Sequence, residues 1–235
     1  MIRSIKTVNP ENKESYKKPI ITFDFDWAHD DILIDTIRLV EKACINATWF
    51  VTHQTSLIDR LIQNPLFEVG IHPNFNGLME GDFRNGRNSN EVMDKLFEIV
   101  PNAKSVRSHS LTQSSRLFQL FQQYGITHDS NDYIPAISKI KLKPWKLESG
   151  LIKVPYFWTD ETSCLQRKTV SMGDLKNRGG LKVFNFHPIH IFLNTDNLMR
   201  YNTTRPIHNL PKELIKNRFE GYGVRNKLYD LININ

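Results

Sequence analysis

The stretch that decides the fold is Pro19-Ile20-Ile21-Thr22-Phe23-Asp24-Phe25-Asp26, a β-branched and aromatic run that ends in two acids. Residues of this kind favour a pleated, buried strand. Alternation along such a strand puts Asp24 and Asp26 on one face, with Phe23 and Phe25 on the other. The pattern then changes. From about Asp30 a helix is expected, with acids in its first turn and Ile34, Ile37 and Val40 or Glu41 at turn spacing.

The same alternation continues along the chain. Ala47–Thr52 reads as a second strand, residues 54–63 as a helix, and Phe67–Ile71 as a third strand running straight into His72. Asn90 is expected to cap a helix through Val100. Ser105-Val106-Arg107 is a short strand, 113–123 a helix, and Gly125–Asp129, Leu151–Trp158 and Leu181–Phe186 further strands. Strands alternating with helices point to parallel β/α units, and so to an α/β barrel, closed or open. Residues 1–18 are polar and read as a loose arm. From Asn197 onward a C-terminal extension follows, with a helix expected over 222–232. With no repeat, linker or low-complexity tract, residues 1–235 are expected to form a single domain.

Composition narrows the function. A chain of 235 residues with 40% hydrophobic and 24% charged residues can bury a full core without disulfides. The net charge of +6 is spread along the chain rather than gathered on one helix or arm, which argues against a nucleic-acid partner. No apolar run approaches the roughly 20 residues of a membrane span. The polar opening lacks the apolar core of a signal peptide, and the two cysteines, Cys44 and Cys164, are far apart. These features together give the expectation of a cytoplasmic protein.

Chemistry gathers where the strands end. Asp24 and Asp26 close the first, His72 the third, Arg107 and His109 the fourth, while Asp160 and the pair His187 and His190 follow the later ones. In parallel β/α folds that end of the sheet carries the site. An isolated Asp-x-Asp often only caps the next helix, and an isolated histidine is often a satisfied core residue. Repetition at successive strand ends is what points to a site. Two carboxylates and several imidazoles converging there suit a divalent metal such as zinc. One carboxylate could then bind the metal while the other accepts a proton from water.

The motifs ITFDFDWA (21–28), ATWFV (47–51), EVGIHPNFN (68–76), VRSHS (106–110) and FNFHPIH (184–190) resemble, in this order, the polysaccharide deacetylase (NodB-homology) superfamily. The likeness is to its WbmS-like branch, associated with bacterial surface-polysaccharide genes, and covers about Pro19 to Thr195. It implies a distorted (β/α) barrel with fewer than eight regular strands and a metal-dependent hydrolase that removes an N-acetyl group from an amino sugar. The resemblance makes Asp24 the catalytic base, Asp26 a metal ligand and Arg107 the residue that aims the base. It makes His187 the general acid to the leaving amine, with Asp160 orienting it. His72 stands for the first histidine of a His-x-x-x-His metal motif, but the second position is Asn76, a poorer zinc ligand. His109 is the other candidate for that place.

Trp158, His190 and Asn74 are candidate substrate-binding residues. Core packing competes for Trp158, and turn formation after Pro73 for Asn74. The expected substrate is an N-acetylated sugar linked to a nucleotide or lipid. Two other readings compete: a glycan-binding protein on the same fold that has lost catalysis, prompted by Asn76, and a metal-free glycosidase using Asp24 or Asp26 with Glu161. The latter leaves the histidines unexplained.

Overall fold

A computed structural model describes residues 3–165 and 171–233. Its centre is a curled sheet built on β1 (Ile20–Asp24), β2 (Ala47–Val51), β3 (Phe67–Ile71) and β9 (Val183–Phe186). Two-residue strands extend it: β4 (Ser105–Val106), β5 (His128–Asp129), β6 (Trp145–Lys146), β7 (Ile152–Lys153) and β8 (Trp158–Thr159). The order is β6-β7-β5-β4-β3-β2-β1-β9-β8, and every pairing is parallel except β6 with β7. All five residues of β1 are buried, as in a sheet covered on both faces. The fold is a distorted (β/α) barrel, with only four strands of four or more residues among the described ones.

Helices α1 (Asp30–Lys42), α2 (Ile58–Gln63), α3 (Asn76–Glu80), α4 (Ser89–Ile99) and α5 (Ser115–Gln123) follow the strands of the first half. In the second half come α6 (Asp160–Leu165), α7 (Met172–Asn177), α8 (Pro188–Leu193), α9 (Leu198–Thr204), α10 (Pro211–Leu214) and α11 (Val224–Ile232). The side chain of Asn88, rather than Asn90, caps α4 by accepting from the Glu91 amide. In the core, Phe23 stacks on Trp49 with centroids 4.2 Å apart, and Phe186 and Phe67 pack around that pair. Gly70 of β3 is required by close approach: a Cβ there would lie 2.5 Å from Ser105 Oγ and 2.8 Å from its carbonyl oxygen.

Three expectations change. The first strand stops at Asp24, because Asp26 and Trp27 take left-handed backbone with φ of 45° and 56°. The run 151–158 is broken by Pro155, which has no N–H to give. β7 pairs with β5 while β8 pairs with β9, so this segment crosses the opening of the sheet and links its two sides. The N-terminal segment, finally, is not loose. Ile5, Val8 and Tyr16 are buried. The Ile5 amide donates to Thr48 Oγ1, the Lys6 amide to Glu68 Oε2, and the Val8 carbonyl bonds His128 Nε2. Those partners sit at the starts of β2, β3 and β5, so the segment plugs the barrel end opposite the strand C-termini. Apolar burial and the need to pair Glu68 explain its order.

Candidate active site

At the strand C-termini the barrel opens into a cleft of about 390 Å³ lined by Asp24, Asp26, His72, Arg107, His109 and His187 among others. Asp24 ends β1 and is buried. Its Oδ1 accepts from Arg107 Nη1 at 3.0 Å and its Oδ2 from Asn185 Nδ2 at 2.8 Å. Arg107, just past β4, is fully buried and spends its donors on Asp24, Thr22 Oγ1, Asn185 Oδ1 and both Ser130 oxygens. Its guanidinium lies between the rings of Phe50 and Tyr156, each centroid 4.6 Å away.

The left-handed turn at Asp26 and Trp27 brings the second carboxylate to the same mouth. The Trp27 amide fixes that turn by donating to Thr52 Oγ1 at 3.1 Å. Asp26 Oδ1 lies 3.1 Å from His72 Nε2 and 3.3 Å from His109 Nδ1. Its Oδ2 is 3.5 Å from His187 Nε2. Burial works against ionisation of Asp26. Hydrogen bonds from His109 and His72, with the charge of His187, outweigh it and hold the carboxyl well below its usual range. For His109, burial opposes the proton, but the bond to Asp26 wins and raises its pKa.

His187 follows β9 directly. Both oxygens of Asp160 hold it: Oδ2 accepts from its backbone amide and Oδ1 bonds its Nδ1, each at 2.6 Å. Nε2 is thereby turned toward Asp26 and toward Asp24 Oδ2, 3.8 Å away. Burial lowers the imidazole pKa, yet the Asp160 and Asp26 carboxylates overcome this and raise it well above the ordinary value. Glu161 reaches the same mouth. His187 pulls its pKa down, while burial and the neighbouring Asp160, Asp26 and Asp24 push it up and prevail.

Asp26, His72 and His109 offer three donor atoms within 4.8 Å of one another, an imidazole–imidazole–carboxylate set that suits a divalent cation such as zinc. Asp160, His187 and His190 form a second such group, but there Asp160 is already spent on orienting His187. His72 Nδ1, buried, meets no partner among the described residues.

Four sequence candidates take other places. Asn76 Oδ1 accepts from Thr112 Oγ1 and its Nδ2 donates to Ser110 Oγ, so its amide ties two loops together. Asn74 Oδ1 accepts from the Asn76 amide at 3.0 Å, closing the turn after Pro73. Trp158 is buried against Phe186 and Phe184, with centroids at 4.7 and 5.9 Å, because β8 turns it into the core. His190, one helical turn past His187, bonds Thr195 Oγ1 and lines an adjoining cleft of about 400 Å³ with Trp27, Tyr201 and Arg205. Trp27, 45% exposed and edge-on to His109 at 5.0 Å, is the aromatic residue left open to a ligand there.

Sequence reasoning missed Thr22, Ser130 and Asn185, the polar partners of Arg107. Two left a signal. Thr22 and Asn185 each precede a site residue by two positions, which on a strand is the same face.

The curled, mostly parallel sheet with its helices matches a distorted NodB-type (β/α) barrel. The WbmS-like polysaccharide deacetylase profile matches residues 21–205, and the chain belongs to that family. Its structure is similar to that of WbmS from Bordetella bronchiseptica, assigned as a polysaccharide deacetylase involved in O-antigen biosynthesis. The two share 38% identity over 99% of this chain and 97% of that one, with a TM-score of 0.93. A protein from Mycobacterium smegmatis assigned as a polysaccharide deacetylase is more distant, at 13% identity, 97% and 93% coverage and a TM-score of 0.48. The peptidoglycan deacetylase PdaC from Bacillus subtilis is comparable, at 14%, 96% and 94%, and 0.44. No curated protein matches the chain. No helix among the described residues is long and apolar enough to cross a membrane.

Proposed function

We propose that this protein is a metal-dependent N-deacetylase that releases acetate from an N-acetylated amino sugar of a surface-glycan precursor. The observation that carries this reading is the setting of His187. Its Nδ1–H donates to a buried carboxylate at 2.6 Å, and its Nε2, which carries the second proton of the charged ring, faces Asp24 and Asp26 at the cleft. An imidazole whose pKa is raised and whose free N–H points at the reacting groups is suited to protonate a departing amine.

Asp24 is the base that takes the proton of the attacking water. Arg107 and Asn185 each occupy one lone pair of a different carboxylate oxygen, so acceptor capacity is left over for that proton. Arg107 acts as a positioning residue: four different partners and two rings fix its guanidinium, and it in turn fixes Asp24. Asp26, His72 and His109 are the groups that would hold a divalent cation, with Asn76 engaged elsewhere. Bound there, such a cation supplies Lewis-acid polarisation of the acetamide carbonyl and a lowered water pKa. Trp27 offers a face to the sugar ring.

The relationship to WbmS supports placing the substrate among surface-polysaccharide precursors, and we place the reaction on a nucleotide- or lipid-linked sugar in the cytoplasm. The deciding experiment measures acetate release from a panel of nucleotide-linked N-acetyl sugars with added zinc or cobalt, with Asp24→Asn as control. Metal-dependent release that is lost in the variant is expected. A protein that gains no metal and releases no acetate from any panel member is instead a glycan-binding relative.

A further inference from the structure

The opposite end of the barrel holds a second polar cleft, of about 470 Å³. Its walls carry Lys13 and Lys17 from the N-terminal segment, Lys141 and Lys143 from the chain before β6, and Arg178 and Lys182 from the chain before β9. Glu14 is its one carboxylate. Lys182 stands five residues before His187 on the same extended chain, about 16 Å at strand rise, so this cleft is separate from the hydrolytic mouth.

The cations are brought together by backbone contact. Gly180 adopts left-handed backbone (φ +89°), and a Cβ there would sit 2.5 Å from the Leu142 carbonyl oxygen. The Leu181 amide donates to that same oxygen at 2.9 Å. The segment with Lys141 and Lys143 is thereby clamped to the segment with Arg178 and Lys182. Among the described residues, only Lys17 of the six has a carboxylate within 4.0 Å, Glu14 at 3.2 Å. Lys182 is only 6% exposed. Its ammonium donates to the carbonyls of Lys17 and Gly180, which accounts for two of its three N–H groups. Burial, with Arg178 and Lys18 nearby, lowers its pKa. A buried cation that lacks a counter-ion is costly, and an anion in the cleft would relieve it.

We propose that this cleft binds a diphosphate group, at a site distinct from the hydrolytic centre. Six cations around one concavity exceed what a single monoanion engages. A concave site of this size also excludes the flat face of a bilayer while admitting a diphosphate with a substituent. A nucleoside diphosphate and a lipid diphosphate carry the same group.

The test is titration calorimetry on the His72→Ala protein, which removes phosphate binding through a cation held by Asp26, His72 and His109. Inorganic diphosphate should bind saturably at one site, weaken as salt rises, and outbind inorganic phosphate at least tenfold. The exposed double substitution K141Q/K143Q should weaken it at least tenfold. In the otherwise native protein that double variant should leave acetate release from a neutral N-acetyl sugar unchanged. Arg178→Lys, which keeps the charge, should bind diphosphate more tightly than Arg178→Gln, and both lose the bond of the Arg178 guanidinium to the Ile140 carbonyl. UDP or farnesyl diphosphate binding more tightly than inorganic diphosphate identifies the nucleotide or the lipid as the source. No saturable binding, binding unaffected by these variants, or attachment only to phosphatidylglycerol vesicles overturns the proposal.

Discussion

Asp24 and Arg107 meet at 3.0 Å with side chains only 4% and 1% exposed, from strands that are not neighbours in the sheet. β1 and β4 are separated by β2 and β3, so the pair spans the inside of the curl. The carboxylate therefore has its direction set by the barrel itself. Removing one member of such a pair leaves the other buried and uncompensated, which typically costs about 3–5 kcal/mol. Arg107→Met should lower unfolding stability by that order in denaturant titration. Arg107→Met with Asp24→Asn should recover part of it, because no unpaired charge then stays inside. Both proteins should have lost acetate release. Arg107→Lys should not rescue it, since an ammonium cannot reproduce a planar fork that serves Asp24, Thr22, Asn185 and Ser130 together.

The proposed cation site at Asp26, His72 and His109 is tested by metal content. His72→Ala and His109→Ala should each reduce bound zinc or cobalt far below one ion per chain, as read by elemental analysis and by the cobalt absorption spectrum. Asn76→Ala should keep the metal and lose only loop stability, about 1 kcal/mol for its bonds to Ser110 and Thr112. A metal-free Asn76→Ala protein beside a metal-loaded His109→Ala protein would reverse the assignment.

Much of this arrangement is legible in the sequence, and the parts that are not share a cause. Strand existence could be read because apolar runs in β1, β3 and β9 stop abruptly at Asp24, His72 and His187. What could not be read is anything set by contacts distant in sequence. The N-terminal segment looked detached because its ordering partners, Thr48, Glu68 and His128, are up to 120 residues away. Trp158 looked like a sugar platform because its neighbours, Phe184 and Phe186, belong to a strand paired only in three dimensions. Asp24 and Asp26 do share the mouth, but not through simple alternation. The strand ends at the first, and a left-handed turn delivers the second. No periodicity announces two consecutive positive φ values at Asp26 and Trp27.

Asp160 tests whether His187 works as an oriented acid. Its two oxygens fix both the ring and the backbone of His187. Asp160→Asn keeps the shape, but the amide carries no charge and its nitrogen cannot accept. The expected result is a fall in kcat of about 10²–10⁴, the range for a positioned acid or base, with KM little changed. The alkaline limb of the pH–rate profile should move to lower pH, because the carboxylate that raises the His187 pKa is gone. A loss confined to KM would assign Asp160 to substrate binding instead.

His190 gives the protein an acid-sensitive point beside His187, with the two rings 5.9 Å apart. It is 1% exposed, and burial, reinforced by His187, pushes its pKa down to about 4 against the attraction of Asp160. The unfolded chain takes up this proton near the ordinary histidine value of about 6.5. The folded state holds fewer protons between those limits, so stability is full above pH 6.5 and falls as pH drops toward 4. The loss amounts to about 3 kcal/mol if this group acts alone. NMR of the His190 ring should show a neutral imidazole from pH 8 down to pH 5. Denaturant titrations should show stability declining over the same acid window in the native protein. In His190→Gln that decline should be smaller, since the glutamine has no proton to take up. An unchanged slope would assign the acid lability to other groups.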